Sequence, residues 1–348
     1  MKKNYFVGID VSKQTLDVAF IVEQHSEKST PCWKVFANNE KGLFEMKQWL
    51  QSNQVSLNDE TLFVIENTGL YHRMLVDFCN KHQLQLCIEN GAQVKWSLGI
   101  ARGKSDKVDS RRLATYAVRF ADRLKPAAAL HEGIQAIKDL ISLRNRHIVQ
   151  LSSLRSYLKE LKATTNPQAV KELEKIHLPL IAAMKVAIKK TEAAIIKKIQ
   201  ANDLTKKQYS LLLSIPCIGP VTAAYLIACT NAFTTCSSGK QLACYCGVVP
   251  FEYQSGISIK GKHHVHKMAN KNLKALLHLC AISAIKYVQE IKDYFNRKVE
   301  EGKHKMSVIN AIRNKLVLRA FAVIKNDKPF VENRSILCLK RKIYFFSP

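Results

Sequence analysis

Tyr5-Phe6-Val7-Gly8-Ile9-Asp10-Val11 is an apolar run with a single carboxylate near its end. Aromatic and β-branched residues at this density read as a buried strand. A charge inside such a strand is costly unless it is paired or binds a metal ion. Chemistry therefore attaches first to Asp10. Outward from this strand, Ser12-Lys13-Gln14 reads as a turn, Leu16 to Val22 as a second strand, and Trp33-Lys34-Val35-Phe36 as a third. Asn38-Asn39-Glu40 caps a helix carrying Leu43, Phe44, Met46, Trp49 and Leu50. Thr61 to Glu66 is a second continuous apolar run that ends in a carboxylate.

A helix from Tyr71 to Lys81 and a strand from Leu84 to Glu89 follow. A strand meander followed by β-α-β crossovers is the layout of a ribonuclease-H-like domain. If the strands ending in Asp10 and Glu66 are neighbours, both carboxylates emerge on one edge. Ser105 caps the next helix, which runs to about Phe120. Asp106 and Asp109 then stand at i and i+3 on one face of its first turn. They sit in Arg102-Gly103-Lys104-Ser105-Asp106-Lys107-Val108-Asp109-Ser110-Arg111-Arg112, which is otherwise strongly basic. Phosphodiester cleavage uses this equipment: two hard cations roughly 4 Å apart, held by carboxylate oxygens, flank the scissile phosphate. Basic neighbours such as Lys104, Arg111 and Arg112 hold the strand. The plainer reading has Asp106 and Asp109 favouring a helix start and pairing with Lys104 and Arg112.

Near Gly133 the character changes. Ile134, Ile137, Ile141, Ile148 and Leu151 recur at helical steps. After a break at Thr164-Thr165-Asn166-Pro167, so do Ile181, Met184, Ile188 and Ile195. This predicts a helical hairpin, an antiparallel coiled coil that ties domains together or builds an oligomer interface. From Leu204 helical segments alternate with Gly/Pro turns. Ser214-Ile215-Pro216-Cys217-Ile218-Gly219-Pro220-Val221-Thr222 is similar to a helix-hairpin-helix turn, in which Gly219 and Thr222 would face a nucleic-acid phosphate. Gln254-Ser255-Gly256 lies in a polar loop beside Lys260, Lys262, His263, His264, His266 and Lys267, with Lys271 and Lys274 opening the next helix. Ser255 is a candidate nucleophile, although a Ser-Gly pair on its own reads as a turn. The histidines, with Cys244 and Cys246, fit no zinc spacing and suit phosphate contact better.

Fifty-four Lys and Arg against 28 Asp and Glu give the 348-residue chain a net charge of +26. A field of that sign attracts polyanions. The ten cysteines include no C-x-x-C pair and read as reduced thiols in a cytosol. Asp10 interrupts the first apolar run too early for a signal peptide, and no uncharged stretch approaches membrane-spanning length.

Together these pieces resemble the DEDD transposases of bacterial insertion sequences, the 110 family, whose members act as bridge-RNA-guided recombinases. The resemblance runs from Val7 to about Leu318. It rests on Val7 to Lys13, Glu66-Asn67-Thr68-Gly69, Lys104 to Asp109, Ile215 to Ala223, and Tyr245 to Phe251 leading to Gln254-Ser255-Gly256. It implies an α/β plus α fold. A RuvC-like domain (1–128) comes first, then a coiled-coil hairpin (129–203), a mostly helical transposase domain (204–330) and a tail (331–348). It further implies Mg²⁺, or Mn²⁺, on Asp10, Glu66, Asp106 and Asp109, and a covalent link from Ser255 to DNA. Donor and target duplexes, a structured guide RNA and a homo-oligomer, dimer or tetramer, are the implied partners, met in the cytoplasm at the nucleoid. The rival reading is a metal-dependent, RuvC-like endonuclease that uses water as nucleophile and Ser255 only as a turn residue. Cys217 departs from the family's glycine, and a cysteine does not readily take a positive φ. The His-rich run and the tail after Pro329 depart as well.

Overall fold

The computed structural model describes residues 3–23, 31–99, 105–251, 254–255, 259–261, 265–266 and 268–331, with backbone only at 254, 255, 259 and 260. Its contacts divide the chain into two compact units, 1–129 and 130–348.

The first unit is a five-stranded mixed sheet. Its strands are β1 (Tyr5–Val11), β2 (Thr15–Val22), β3 (Cys32–Ala37), β4 (Thr61–Glu66) and β5 (Gln85–Glu89), in the spatial order β3-β2-β1-β4-β5. β1 and β2 are antiparallel, as are β2 and β3, whereas β4 runs parallel to β1 and β5 parallel to β4. Period-two alternation splits the sheet into two faces. Val7, Ile9, Leu16, Val18, Phe63 and Ile65 share a core with α1 (Glu40–Ser52) and α2 (Arg73–Lys81). The first of these helices is capped by Asn39, whose side chain accepts from Gly42 N at 2.9 Å. On the opposite face Phe6, Leu62, Val64 and Cys87 pack against Val94 of α3 (Gly91–Ser97) and Leu113, Tyr116 and Ala117 of α4 (Asp106–Arg119).

α4 can lie this close because residue 8 is glycine. A Cβ there would stand 2.2 Å from Ala114 N and 2.4 Å from Ser110 O. That approach fixes where the first turn of α4 falls: one turn before Ser110, on the same face of the sheet as Asp10.

The second unit is helical. α5 (Ile134–Thr164) and α6 (Pro167–Gln200) form the expected hairpin, with Asn166 capping α6 through its bond to Gln168 N at 2.9 Å and Pro167 in the first turn. Ile134, Ile137, Ile141, Ile195 and Ile199 join a core with α7 (Asp203–Leu213), α8 (Pro220–Cys229), α9 (Gly239–Tyr245), α10 (Lys271–Tyr287), α11 (Gln289–Glu300) and α12 (Lys305–Lys325). Away from that core the stripe is thinner. Ile148 is 38% exposed, so the expectation that it lies in the hairpin interior is corrected there. The buried positions at that level are Leu151 and Ile181. A short ribbon pairs β6 (Gln254–Ser255) with β7 (Ile259–Lys260). Of the tail, only residue 331 is among the described residues.

Candidate active site

Asp10 is the penultimate residue of β1, and Glu66 the last of β4. Their strands are parallel neighbours with Ile9 opposite Ile65, so both carboxylates leave the sheet at one edge. Both have the parity of the α4 face. Asp106 and Asp109 occupy the first turn of α4, which Ser105 caps by accepting from Val108 N at 3.3 Å. Glu66 lies over Gly91, where a Cβ would come 2.5 Å from its Oε1. The convergence registers on Asp10. Burial first, then the charges of Asp109, Asp106, Glu66 and Asp17, push its carboxyl up from 3.8 to about 6. Among the described residues, none of Asp10, Glu66, Asp106 and Asp109 has a hydrogen-bond donor or ion-pair partner on its side chain.

Asp17 is a fifth carboxylate, which the sequence reading passed over. It stands directly opposite Asp10 in the β1–β2 register and is only 5% exposed. Trp33 Nε1 donates to its Oδ1 at 3.1 Å, and burial pushes its carboxyl up, with Asp106 adding to the rise. The signal was available: Leu16-Asp17-Val18 is a charge inside an apolar strand, as Ile9-Asp10-Val11 is. Lys107, from the basic run, places its ammonium 4.6 Å from the centre of the Trp33 ring. Behind Glu66, Glu89 accepts from Tyr116 Oη at 3.4 Å, and burial pushes its carboxyl up.

The basic residues expected to hold nucleic acid divide. Arg112 Nη2 donates to Gly99 O at 3.2 Å, which ties it to its own unit. Arg111 is half-buried, with Nε unpartnered among the described residues. Lys271 is exposed in the first turn of α10. Lys104, Lys262, His263, His264 and Lys267 lie outside the described residues, as does the side chain of Lys260. His266 accepts from Met268 N at 3.3 Å, as a turn former does.

One expectation at the helix-hairpin-helix turn is corrected. Thr222 is 5% exposed, and its hydroxyl lies 3.3 Å from Cys280 Sγ. The Thr222 hydroxyl is thus satisfied inward, by the thiol of α10, and is not offered to a phosphate. Cys217 does adopt the left-handed conformation of the glycine it replaces, with φ +68°, at a steric cost of roughly 1–2 kcal/mol. Ser255 lies in β6, paired with Ile259 across a turn whose residues 256–258 are outside the described set.

Two family models match the chain. Residues 7–167 match the DEDD transposase model of the IS110 type, and residues 209–296 match the model described as Transposase IS116/IS110/IS902 family. The pilin gene-inverting protein of Moraxella bovis is 30% identical over 95% of this chain and 98% of its own length. The protein of that name from Moraxella lacunata is equally similar, 30% identical over the same shares. The chain belongs to the IS110 family of transposases. A Streptomyces coelicolor insertion-element IS110 protein is 28% identical over 46% of this chain and 39% of its own length.

This IS110-family chain is therefore a DNA transposase/recombinase, and its DNA substrate accounts for the charge of +26. The mixed sheet of its first unit is a RuvC-like DEDD domain, a class that works with divalent metal ions. The donor set suits such an ion, being hard carboxylate oxygens crowded without a basic partner. Among the described residues, no group of three or more His, Cys, Asp or Glu side chains lies close enough together to hold a metal ion. Asp106 is exposed, and Asp10, Glu66 and Asp109 are half-buried, so a cation would gather solvated side chains and not disrupt packed ones. Among the described residues, no helix is long and apolar enough to cross a membrane.

Proposed function

We propose that this enzyme cuts and rejoins DNA strands through a covalent serine intermediate, with Asp10, Glu66, Asp106 and Asp109 as its metal ligands. The observation that carries the reading is the convergence of those carboxylates on Asp10 with no basic partner among the described residues. Mg²⁺, or Mn²⁺ in its place, would supply Lewis-acid polarisation of the scissile phosphate there. Ser255 Oγ attacks phosphorus, losing its proton as the P–O bond to the sugar breaks and the sugar oxygen gains one. A sugar hydroxyl from another strand then attacks the phosphoserine and returns Ser255 to its free form. No water is consumed and the number of phosphodiester bonds is conserved.

The biological outcome is insertion-sequence movement or segment inversion, as the names of the relatives suggest for them. A structured RNA from the element is the guide. The support is the large positive charge in a chain without obvious base-reading motifs, which suits recognition of backbone and shape. The assembly is a dimer or tetramer at the bacterial nucleoid. Residues 129–203 act as the hairpin linker, and 204–330 as the part that carries the serine.

The test is covalent trapping. The protein is incubated with Mg²⁺, the element-end RNA and labelled donor and target duplexes, then denatured. Label should migrate with wild-type protein and with neither Ser255→Ala nor Asp10→Asn. Free DNA ends made equally well by Ser255→Ala would replace the serine mechanism with RuvC-like hydrolysis by water.

A further inference from the structure

We propose that Arg313, Lys274 and His278 form a binding site for a backbone phosphate of the DNA strand on which the enzyme acts. The inference deepens the reading of the Ser255 segment given above and rests on it for the strand concerned.

Lys274 and His278 stand at i and i+4 on α10, and Arg313 faces them from α12. Arg313 is only 7% exposed. A buried guanidinium is ordinarily paired with a carboxylate. Here its Nη2 lies 2.6 Å from His278 Nδ1, its Nη1 reaches Asn310 Oδ1 at 3.4 Å, and its Nε has no partner. Among the described residues, no carboxylate pairs with Arg313, Lys274 or His278. Since Arg313 must donate, His278 Nδ1 accepts, which makes the imidazole neutral and puts its proton on Nε2. Burial and then the Arg313 charge push both the Lys274 ammonium and the His278 imidazole below their ordinary values. The cluster is thus a cationic group held together against its own repulsion.

The sequence withholds a counter-charge. Between 204 and 289 the chain has one acidic residue, Glu252, and between 302 and 326 it has none. The described residues supply no anion, and one from outside would complete the arrangement. A phosphate diester matches it: an ammonium and a neutral imidazole N–H spaced by one helical turn at the rim, with the buried, unbalanced Arg313 charge behind them. Arg313 lies behind, and the half-buried Lys274 and His278 form the rim.

Position supplies the link to the reaction. Asn270 N donates to Tyr245 O at 2.9 Å, closing the neck of the loop that carries Ser255. Lys274 is one turn beyond that neck. Gly247, at φ +66°, turns so close to α10 that a Cβ would stand 3.5 Å from Lys274 Cδ. Asn310, one turn before Arg313, donates to Val248 O at 2.7 Å. The cationic cluster and the base of the serine loop are one packed assembly.

The experiment is a salt titration of binding, read by anisotropy with a short fluorescein-labelled DNA duplex in EDTA. Lys274→Gln should bind less tightly and lower the slope of log affinity against log salt by about 1, the signature of one lost phosphate contact. Lys286→Gln removes the same charge from the exposed last turn of α10 and should leave the slope as in wild type. Equal losses in the two variants would overturn the site in favour of diffuse attraction. Arg313→Lys keeps the charge but loses the fork, and is expected to bind less tightly while melting as a folded protein. If it fails to fold, His278→Gln takes its place, and unchanged binding there counts against the proposal. Adduct formation with Mg²⁺ and RNA should fall at least tenfold in Lys274→Gln. A wild type that binds with the full slope yet forms no adduct would sink the serine reading and leave the phosphate site standing.

Discussion

Replacing Asp10 by asparagine should abolish strand exchange and at the same time make the metal-free protein more stable. Burial and four neighbouring carboxylates push the Asp10 carboxyl up from 3.8 to about 6. A carboxyl with a raised folded-state pKa favours its neutral form. Its penalty is therefore absent below the unfolded value, grows as pH rises from there to the folded value, and is complete above it. A rise of about two units corresponds to roughly 3 kcal/mol at 1.36 kcal/mol per unit. Asp10 is only half-buried, and solvent and salt screen its neighbours, so about 1–2 kcal/mol is the realistic penalty. For a unit of this size that is a melting shift of about 3–8 °C. The assay is calorimetric melting of wild type and Asp10→Asn in EDTA from about pH 4.5 to pH 8, the span over which the carboxyl titrates. The variant should melt with wild type at the acid end and progressively above it as pH rises. Adding Mg²⁺ should then raise the wild type and leave the variant unmoved. A variant that melts below wild type in EDTA at the alkaline end would refute the reasoning. It would mean that Asp10 serves a stabilising partner and is not held at the cost of folding energy.

The other expectations are smaller and independent. Cys217→Gly relieves a left-handed residue at φ +68°; after the extra unfolded-state freedom of glycine, it should gain about 0.5–1 kcal/mol, read as a higher urea midpoint. Trp33→Phe removes the Nε1 donor to buried Asp17 and should cost about 1–3 kcal/mol, with most of that loss recovered in the double variant Asp17→Asn/Trp33→Phe. Gly91→Ala puts a methyl 2.5 Å from Glu66 Oε1. Glu66 can swing away, so melting should stay near wild type while the Mg²⁺ concentration needed for half-maximal adduct formation rises severalfold.

The sheet was legible because its signal is local. Buried strands announce themselves as apolar runs, and a carboxylate within one is conspicuous, which is how Asp10 and Glu66 stood out. The start of α4 was legible through Ser105, and the hairpin turn through Asn166-Pro167. Asp17 carries a signal of the same kind, but its pairing with Asp10 across the β1–β2 register is visible only in the structure. What the sequence could not reveal is pairing at a distance. Thr222 and Gly219 read as phosphate contacts from their turn. The Thr222 hydroxyl is instead taken by Cys280, 58 residues away in the chain. The sequence around Arg313 carries no special signal, and only its packing against α10 shows a buried cation with no carboxylate partner among the described residues.

The two units place opposite demands on the same substrate. The carboxylate cluster repels a phosphate, whereas the acid-poor stretch from 204 to 289 attracts one. A chain with net charge +26 will hold DNA with or without metal. Only a divalent cation turns the Asp10 cluster from a repulsive feature into an attractive one. With the proposed metal site, binding and chemistry would be separated. On the proposed function, DNA would be captured by the basic half, and the carboxylate half would engage the scissile phosphate only when it carries metal. The uncompensated charge around Asp10 is what makes that switch possible. A basic residue paired with Asp10 would stabilise the fold, but it would occupy the place the cation needs.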